Sequence, residues 1–583
     1  MCFKLWYLVI SIILLINTII VTKANAAEKV NGFIQRELDL DRSDTPKNIL
    51  VGSVIGGANH LNPIFEVCKI LVDRGYKVKL AAPGNFTATS TLYNSIPQTI
   101  IGDPPDSYAS SEYRKMFFNE YTFKSMAYEQ MMFHQRYLEY FNKYLEVYKE
   151  TKPDLFICHY VRNEACFDLA WKVKKPVVGF VSNTEFFTAL PPFISDPMMG
   201  CHVNMENETF YDRFICAVVQ PLRFDWHFRK NLNYLNARRV EVGVSEHYDI
   251  RGRITNTLFL VDSFFGFEVP SAWPPIHQEI GPLMPDIFPD LSSELDLFLS
   301  VHPRTMYIAL GSFVYTTLKN YAILLQSALE LINSNILDGV IWATVRFNES
   351  ELPSTFTLST GDVIPTSNIL DNLYPHIHVT KYAPQFAILS HKNTKIFLSH
   401  GGASSSHESM YTATPMLVLP IAFDQPGNSE KLELSGMALK LSKIDLKVDD
   451  IVSKVIRLTN EKSFKMNAER MQVLIKFNSK RKYRGADLID IVMNLAEREG
   501  IRNENGELEV DNEVLLREWI TPDSRMGFIK GNYIDVFGIA MIIGLVLTSS
   551  LIYGLYKVII FAFKKWALRN RNSQEGSSKP KNE

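Results

Sequence analysis

The chain has 583 residues, which is enough for two domains of about 200 residues or more. Charged residues make up 21% of it and the formal net charge is −2, so no basic surface indicates binding to nucleic acid. We find no simple repeat, low-complexity tract or coiled coil before the last residues, and nothing in the sequence indicates an oligomeric state.

The amino terminus has the pattern of a secretory signal. Lys4 precedes the apolar run Leu5 to Val21, and Ala24 and Ala26 fit the small-residue pattern of a cleavage site. This pattern predicts that residues 1–26 are a signal peptide removed in the mature protein. An uncleaved membrane anchor is the alternative.

The first predicted elements form a βαβ unit. "ILVGSV" is typical of a buried strand, "GGANH" of a turn, and Leu61 to Arg74 has apolar residues at helical spacing before "YKVKLAA" begins a second strand. The turn has no G-x-G-x-x-G sequence, so the dinucleotide-binding pattern is missing. His60 follows the first strand, where ligands of such sheets bind, although a histidine at a helix start can also serve as a cap or pack.

Two further strands are predicted in the first half. "KPDLFICHY" (Lys152 to Tyr160) and "KPVVGFVSN" (Lys175 to Asn183) flank the helical sequence "EACFDLAWKVK". This alternation predicts a parallel sheet. The proline-rich segment from Val269 to Asp286 is interpreted as a linker between domains.

The second half repeats the strand and helix alternation and contains "IFLSHGGASSSHESM" from Ile396 to Met410. A buried strand here runs into glycines and serines. Glycines let the backbone approach a ligand closely, and amides and hydroxyls at a helix start suit an anion such as phosphate. A tight turn with serine caps is the alternative. The whole pattern predicts two α/β domains across a cleft.

The carboxyl-terminal sequence predicts a membrane span. Val536 to Tyr556 is 21 residues without a charge, and apolar character continues to Phe563. Basic residues follow at Lys564 and Lys565, and basic residues next to a span mark the cytoplasmic side. We therefore expect a transmembrane helix at 534–563, a cytoplasmic tail at 564–583 and a single-pass type I protein with lumenal domains.

Sequons and cysteines agree with a lumenal location in the endoplasmic reticulum or secretory pathway. The sequons lie at Asn85, Asn207 and Asn348. After removal of the signal peptide five cysteines remain, so at least one is unpaired within the chain. A bridge between Cys201 and Cys216 is one option that the sequence leaves open.

Residues 382–428 contain "YAPQFAIL" from Tyr382, His391, "FLSHGG" from Phe397, Glu408, Pro415, Pro420 and "DQPGN" from Asp424. In these residues the chain resembles the UDP-glycosyltransferase family. The stretches "RGADLIDIVM" from Arg484 and "YIDVFG" from Tyr533 look like the end of its membrane-anchored members. The resemblance implies the GT-B fold, with an acceptor-binding Rossmann-like domain at 27–283 and a UDP-sugar-binding one at 284–533. It also implies transfer of a hexose or hexuronic acid from a UDP-sugar to a hydroxyl of a small lipophilic acceptor, with inversion. The UDP-sugar is then a co-substrate, and no metal or other cofactor is expected.

The resemblance also implies roles for individual residues on the donor side. Tyr382, in place of a tryptophan, stacks on uracil and Gln385 hydrogen-bonds it. Glu408 accepts from the ribose hydroxyls, and Asp424 and Gln425 bind the sugar. The diphosphate is held by residues of two loops that supply hydrogen-bond donors, namely Ser312, His400, Gly402, Ser404 and Ser405.

His60 is implied to be the general base that deprotonates the acceptor hydroxyl. The family has an aspartate that orients this base, and the aligned residue here is His159. A neutral imidazole can accept a hydrogen bond but stabilises an imidazolium far less than a carboxylate does. Asp168 is the alternative partner. The departure at His159 also motivates a second hypothesis, a weakly active or inactive GT-B protein that binds UDP-sugar or lipid as a scaffold.

Overall fold

The computed structural model describes residues 29–30, 33–34, 47–103, 111–182, 193–247, 256–312, 314–345 and 352–575. The chain divides into two compact units, Met1–Pro46 and Lys47–Glu583. In the first unit the described residues form one antiparallel pair, Lys29–Val30 with Phe33–Ile34. The predicted signal peptide at 1–26 lies outside the described residues.

The first sheet of the large unit has seven strands, and every neighbouring pair is parallel. Strands such as Leu155–His159 are buried along their whole length because helices cover both faces of the sheet. In spatial order the strands are Gln98–Ile100, Lys77–Ala82, Asn48–Gly52, Leu155–His159, Val177–Val181, Leu258–Val261 and His277–Glu279.

The second sheet has six strands, again all parallel. In spatial order they are Ile377–Thr380, Gly339–Ala343, Thr305–Ala309, Thr394–Ser399, Met416–Val418 and Ala438–Lys440. Two short antiparallel ribbons lie outside the sheets, Thr355–Thr357 with Val363–Pro365 and Ile501–Arg502 with Leu508–Glu509. The predicted architecture of two Rossmann-like domains is confirmed.

Helices connect the strands of each sheet. Those of the first half are Ala58–Asp73, Phe86–Thr89, Ser111–Met116, Phe123–Gln135, Tyr137–Thr151, Glu164–Lys172, Phe210–Phe214 and Gln220–Glu241, with a π-helical segment at Ile215–Val219 and a 3₁₀ turn at Pro197–Met199. Those of the second half are Ser293–Val301, Leu318–Asn333, Thr366–Leu370, Gln385–Ser390, Ala403–Tyr411, Gln425–Leu434, Val448–Asn460, Lys462–Asn478, the 3₁₀ turn Ser479–Arg481, Lys482–Glu499, Asn512–Leu515, Pro522–Met526, Phe528–Gly531 and Ile534–Glu575.

In both sheets the strand order reverses between two adjacent strands. In the first sheet the reversal lies between Asn48–Gly52 and Leu155–His159, and in the second between Thr305–Ala309 and Thr394–Ser399. Loops leave the carboxyl ends of such strands in opposite directions and open a crevice between them. The topology therefore places one crevice in each domain.

Two parts of the chain pack differently from the sequence prediction. The segment interpreted as a linker contains the strand His277–Glu279, which extends the first sheet. Part of the predicted domain 284–533 also packs against the first sheet and not against the second. Helix Lys482–Glu499 packs along helix Ala58–Asp73, and its apolar face joins the core of the first sheet. The ammonium of Lys482 also binds the buried carboxylate of Glu66 at 2.9 Å.

The last helix, Ile534–Glu575, contains the predicted membrane segment 534–563. Its apolar part has a mean hydropathy of 2.2, and none of that part is buried against the rest of the protein. By length and composition it is suited to cross a bilayer. It continues into the predicted tail at 564–583, of which residues 576–583 lie outside the described residues.

The described residues form two disulfides, Cys158–Cys166 and Cys201–Cys216, and Cys68 is a buried free thiol. The bridge that the sequence left open is therefore formed. The bridge from Cys158 to Cys166 closes the loop between strand Leu155–His159 and helix Glu164–Lys172. It limits the positions available to the residues of that loop.

Candidate active site

A cleft of about 1200 Å³, open to solvent, receives the loops at the carboxyl ends of both sheets. Of the residues singled out in the sequence, it brings together His60 from the first domain and Ser312, His400, Gly402, Ser404, Ser405, Asp424 and Gln425 from the second. Tyr382, Gln385 and Glu408 lie beside it, and His159 lies behind His60. Among the described residues no group of three or more His, Cys, Asp or Glu side chains is arranged to hold a metal ion.

His60 lies in the first turn of helix Ala58–Asp73, directly after a turn that requires glycine. A Cβ on Gly56 would lie 2.3 Å from the carbonyl oxygen of Pro83, and Gly57 has a φ of +148°. These two glycines let the chain turn from the strand into the helix with His60 at the cleft. The His60 ring is half-buried, and its removal from water lowers its pKa to about 4, so the imidazole is neutral at physiological pH.

His159 is the hydrogen-bond partner of His60. It ends the strand Leu155–His159 and is completely buried. The Nδ1 atom of His60 lies 3.3 Å from the Nε2 atom of His159, with the rings edge to face. Burial, and to a lesser degree His60, hold the pKa of His159 well below its ordinary value.

The protons of this pair determine what His60 can do. If Nε2 of His60 is to accept a proton from a substrate, its Nδ1 must carry a hydrogen and donate it to Nε2 of His159. His159 must then carry its own hydrogen on Nδ1, a buried atom without a partner in the described part of the chain. The productive arrangement therefore leaves one buried N–H unsatisfied.

Asp168, the alternative partner of His60, lies elsewhere. Its carboxylate accepts hydrogen bonds from the hydroxyl of Tyr137 at 2.9 Å and from Nε of Arg239 at 2.7 Å. It is buried in the helix Glu164–Lys172, whose residues face a second cavity of the first domain. The alternative is therefore wrong, because Asp168 is already paired with an arginine.

His400 follows strand Thr394–Ser399 and is held between two glycines. A Cβ on Gly402 would lie 2.5 Å from its Nε2, and a Cβ on Gly311 would lie 2.7 Å from its Cε1. Any larger residue at either position would displace the ring. Burial lowers the pKa of His400 to about 4, so it acts as a neutral hydrogen-bonding group and not as a cation.

The helix Ala403–Tyr411 starts immediately after this glycine pair. Its first intrahelical hydrogen bond runs from the amide of Ser406 to the carbonyl of Gly402, so the amides before Ser406 have no partner within the helix. Among them the amide of Ala403 donates to Asp424, whereas the amides and half-buried hydroxyls of Ser404 and Ser405 lie at the positive end of the helix dipole. Ser312 lies on the adjacent loop, after strand Thr305–Ala309. The arrangement suits an anion with several oxygens.

Asp424 and Gln425 lie at the start of helix Gln425–Leu434. The side-chain oxygen of Gln425 accepts from the amides of Ile421 and Ala422 at 2.9 and 3.0 Å, which leaves its NH₂ group at the cleft. The carboxylate of Asp424 accepts from the side-chain NH₂ group of Asn428 at 2.7 Å, and burial raises the pKa of Asp424. Both side chains are held by this network within reach of a ligand in the cleft.

Gln385 connects Glu408 with the serine loop. Its NH₂ group donates to Oε2 of Glu408 at 3.0 Å and to the hydroxyl of Ser405 at 3.2 Å. Burial raises the pKa of Glu408 to about 7, and Gln385 opposes this effect. Tyr382 is 76% exposed beside these residues, so its ring face is open to a flat partner.

Sequence reasoning missed one cluster in this cleft, formed by Tyr121, Glu129 and Arg162. These residues come from two helix-bearing segments far apart in the chain, and no motif surrounds them. The Tyr121 hydroxyl and the Arg162 guanidinium both donate to Oε2 of Glu129, at 2.7 and 3.2 Å. Only the folded arrangement shows that they lie in the same cleft as His60.

Comparison with known proteins agrees with this geometry. Residues 186–479, half of the chain, match the family described as UDP-glucoronosyl and UDP-glucosyl transferase. UDP-glycosyltransferase 1 of Phaeomoniella chlamydospora is 31% identical over 58% of this chain and 68% of its own length. A UDP-glycosyltransferase of Talaromyces amestolkiae is 28% identical over 84% of this chain and 94% of its own. The chain therefore belongs to the UDP-glycosyltransferase family.

Among solved structures, a glycosyltransferase of kitacinnamycin is similar with a TM-score of 0.54 and 18% identity. The similarity covers 76% of this chain and 98% of that one. At this identity the likeness defines the fold, which is GT-B. The expected family and fold class are both confirmed, and the enzyme class is UDP-glycosyltransferase.

Proposed function

We propose that the protein transfers a hexose or hexuronic acid from a UDP-sugar to a hydroxyl of a small lipophilic acceptor, with inversion. The observation that carries this proposal is that His60 and the loop of His400 line one cleft from opposite domains. One wall of the cleft carries a base, and the opposite wall carries hydrogen-bond donors for the diphosphate. This arrangement suits in-line attack on a sugar held between them.

The donor is bound by the second domain in this proposal. Tyr382 stacks on uracil, Gln385 hydrogen-bonds it, and Glu408 accepts from the ribose. The diphosphate lies against Ser312, His400 and the amides and hydroxyls that begin helix Ala403–Tyr411. These donors stabilise the negative charge that develops on UDP as the glycosidic bond breaks. Asp424 and Gln425 hold the sugar hydroxyls.

The acceptor is activated by the first domain. Nε2 of His60 takes the hydroxyl proton while the oxygen attacks the anomeric carbon from the face opposite UDP. One C–O bond forms to the acceptor, the C–O bond to UDP breaks, and the configuration inverts. His159 is a positioning residue that accepts from Nδ1 of His60. We propose that the UDP-sugar is a co-substrate and that no resident cofactor takes part.

A second function is favoured by one observation, namely that His159 stands where a carboxylate would stabilise an imidazolium. In that case the protein binds UDP-sugar or lipid as a scaffold and turns over slowly or not at all. The two functions differ in one measurable property, because a scaffold binds UDP without forming a glycoside.

We further propose a single-pass type I topology in the endoplasmic reticulum or secretory pathway, with a signal peptide at 1–26 and lumenal domains. The apolar helix Ile534–Glu575 supports a membrane span. The sequons at Asn85 and Asn207 lie at exposed side chains, whereas Asn348 lies outside the described residues. A lumenal protein would carry glycans at exposed sequons.

An apolar stripe on the protein surface supports the proposal that the first domain contacts the membrane. Its members recur every four residues along the helical segment from Phe210 to Glu241 and are all exposed, namely Phe210, Phe214, Val218, Leu222 and Trp226. Helices with such a face lie in the membrane interface. The membrane is thus proposed as a partner through both the span and this face.

The function is tested by incubating the purified full chain with radiolabelled UDP-glucose, UDP-glucuronic acid or UDP-N-acetylglucosamine and a set of sterol and aromatic alcohols. We expect a labelled glycoside from at least one donor, accompanied by an equal amount of UDP. UDP binding without any glycoside would reject the transferase and favour the scaffold. Deglycosylation and protease treatment of intact microsomes test the topology, since lumenal domains shift on deglycosylation and resist protease.

A further inference from the structure

A buried polar cluster lies in the part of the cleft that belongs to the first domain. Glu129, on helix Phe123–Gln135, is only 4% exposed. One of its oxygens, Oε2, accepts hydrogen bonds from Tyr121 and Arg162. All three residues line the same cleft as His60. None of them belongs to the donor site or the histidine pair.

This cluster is incompletely satisfied by the protein. In the described part of the chain, Oε1 of Glu129 accepts no hydrogen bond, and Nε of Arg162 is buried without a partner. Buried charged groups are normally fully hydrogen-bonded, because an unpaired one costs desolvation free energy. Oε1 of Glu129 is therefore an open acceptor that a ligand in the cleft can reach, whereas Nε of Arg162 is enclosed by the protein, so the guanidinium meets a ligand only through its outer nitrogens.

The loop that carries Arg162 is held in an unfavourable conformation. Arg162 has a φ of +57°, in the left-handed region that is unfavourable for a residue with a Cβ. The loop is closed by the disulfide between Cys158 and Cys166. Such strain persists where the surroundings fix the backbone, and it is concentrated at binding sites. The guanidinium is thereby kept against Glu129.

The charges around Arg162 favour a neutral ligand group over an anionic or a cationic one. Glu129 pairs with Arg162 at 3.2 Å, and Glu164 lies on the neighbouring cavity that Arg162 also lines. A carboxylate ligand would approach two carboxylates, and an amine would compete with the arginine for Glu129. A neutral hydroxyl avoids both conflicts, since it can donate to Oε1 and accept from the guanidinium.

Apolar side chains of the cleft around this cluster suit the body of a lipophilic molecule. These side chains are Ile55, Met126, Val161, Val181, Met198 and Phe423. A polar anchor in an apolar pocket fixes the orientation of a ligand.

We propose that Glu129 and Arg162 bind a second hydroxyl of the acceptor, remote from the one that receives the sugar. The acceptors are then lipophilic diols or polyols in preference to simple alcohols. This inference rests on the proposed function, because it takes the first-domain part of the cleft as the acceptor site. It adds a specificity-determining pair to that site.

The test measures equilibrium binding to the purified full chain in the presence of UDP, without requiring turnover. The probes are naphthol, dihydroxynaphthalene, hydroxynaphthoic acid and aminomethylnaphthol, whose aliphatic amine is protonated at neutral pH. A hydrogen bond to a charged group predicts that the diol binds roughly 10- to 100-fold more tightly than naphthol. The acid and the amine should bind more weakly than the diol.

Glu129→Gln keeps the shape of the side chain and removes its charge, so the diol preference should fall to about one while naphthol affinity is unchanged. Glu139→Gln is the matched control, because Glu139 also pairs with an arginine, Arg136, but its side chain is exposed and lies outside the cleft. If Glu129→Gln loses UDP binding through misfolding, Glu129→Asp retains the charge, withdraws the oxygen and should reduce the preference.

Equal binding of naphthol and diol by the wild type would overturn the proposal. So would tightest binding of the acid or the amine, or a preference that survives in every folded Glu129 variant. Failure of the proposed function looks different, because the diol preference would then be present without any glycoside formation.

Discussion

Replacing His159 by glutamate should make the enzyme faster. The Nε2 atom that meets His60 stands four bonds from the Cα of His159, and a glutamate oxygen has the same reach, whereas an aspartate oxygen is one bond shorter. A carboxylate there would accept from Nδ1 of His60 in place of the neutral ring, now 3.3 Å away. It would stabilise the imidazolium that forms as the acceptor loses its proton.

The magnitude follows from the burial of His60. A pKa of about 4 in place of 6.5 makes protonation of His60 about 3 kcal/mol less favourable than in water. An adjacent carboxylate raises a histidine pKa by about one to three, which recovers about 1.4–4 kcal/mol. If about half of the charge on His60 has developed in the transition state, the carboxylate lowers the activation free energy by about 1–2 kcal/mol. This corresponds to roughly a 5- to 30-fold increase in kcat.

The assay compares kcat for glycoside formation in the wild type, His159→Glu, His159→Asp and the neutral control His159→Gln. We expect Glu to exceed Asp, and Gln to stay near the wild type. The pH profile gives a second measurement. Wild-type kcat at saturating UDP-sugar should stay level as the pH is lowered to about 5, because the pKa of His60 lies near 4. The glutamate variant should lose activity on the acid side at a higher pH.

The reasoning would be refuted if His159→Glu and His159→Gln had the same kcat and the same acid limb. UDP affinity and the thermal unfolding midpoint serve as controls, because a buried carboxylate that fails to pair would destabilise the fold.

Three further results are expected. His60→Ala should lose about 10²–10⁴-fold in kcat with UDP affinity retained, and an equal loss of UDP affinity would place His60 on the donor side. His400→Ala should weaken UDP binding, measured by calorimetry, with the unfolding midpoint nearly unchanged. Asp424→Asn should instead lower the rate of sugar transfer more than the affinity for UDP. The reverse pattern would contradict the proposed roles. Burial raises the pKa of Glu408 to about 7, and its ionised form is the proposed partner of the ribose hydroxyls. Uridine should therefore bind about 10-fold more weakly at about pH 6 than at about pH 8, and Glu408→Gln should abolish this dependence.

The proposed donor half of the cleft could be located from the sequence because its residues, apart from Ser312, are close together in the chain. One local unit is formed by strand Thr394–Ser399, the glycine pair and helix Ala403–Tyr411. Its apolar run, glycine turn and serines can be recognised in the amino-acid sequence. His60 could be singled out from the sequence for the same reason, since it lies at the start of the helix that follows the first strand. Local pattern determines these elements.

The acceptor half depends on contacts that no local pattern contains. His60 and His159 are 99 residues apart, and Glu129 and Arg162 are 33 apart, so their meeting follows from sheet order and helix packing. The strand His277–Glu279 was hidden in a proline-rich segment because an edge strand of three residues has little periodicity. Helix Lys482–Glu499 has an apolar face, but its sequence does not say which domain that face contacts.

The central claim is that the cleft joins a base to a UDP-sugar, and one measurement tests it most directly. The purified full chain and His60→Ala are each incubated with radiolabelled UDP-sugar and dihydroxynaphthalene, and the released UDP, the glycoside and its anomeric configuration are determined by chromatography and NMR. We predict that the wild type forms one glycoside per UDP with inverted configuration, and that His60→Ala binds the donor equally but forms about 10²–10⁴-fold less product. Equal rates in the two proteins, or a glycoside of retained configuration, would contradict the account.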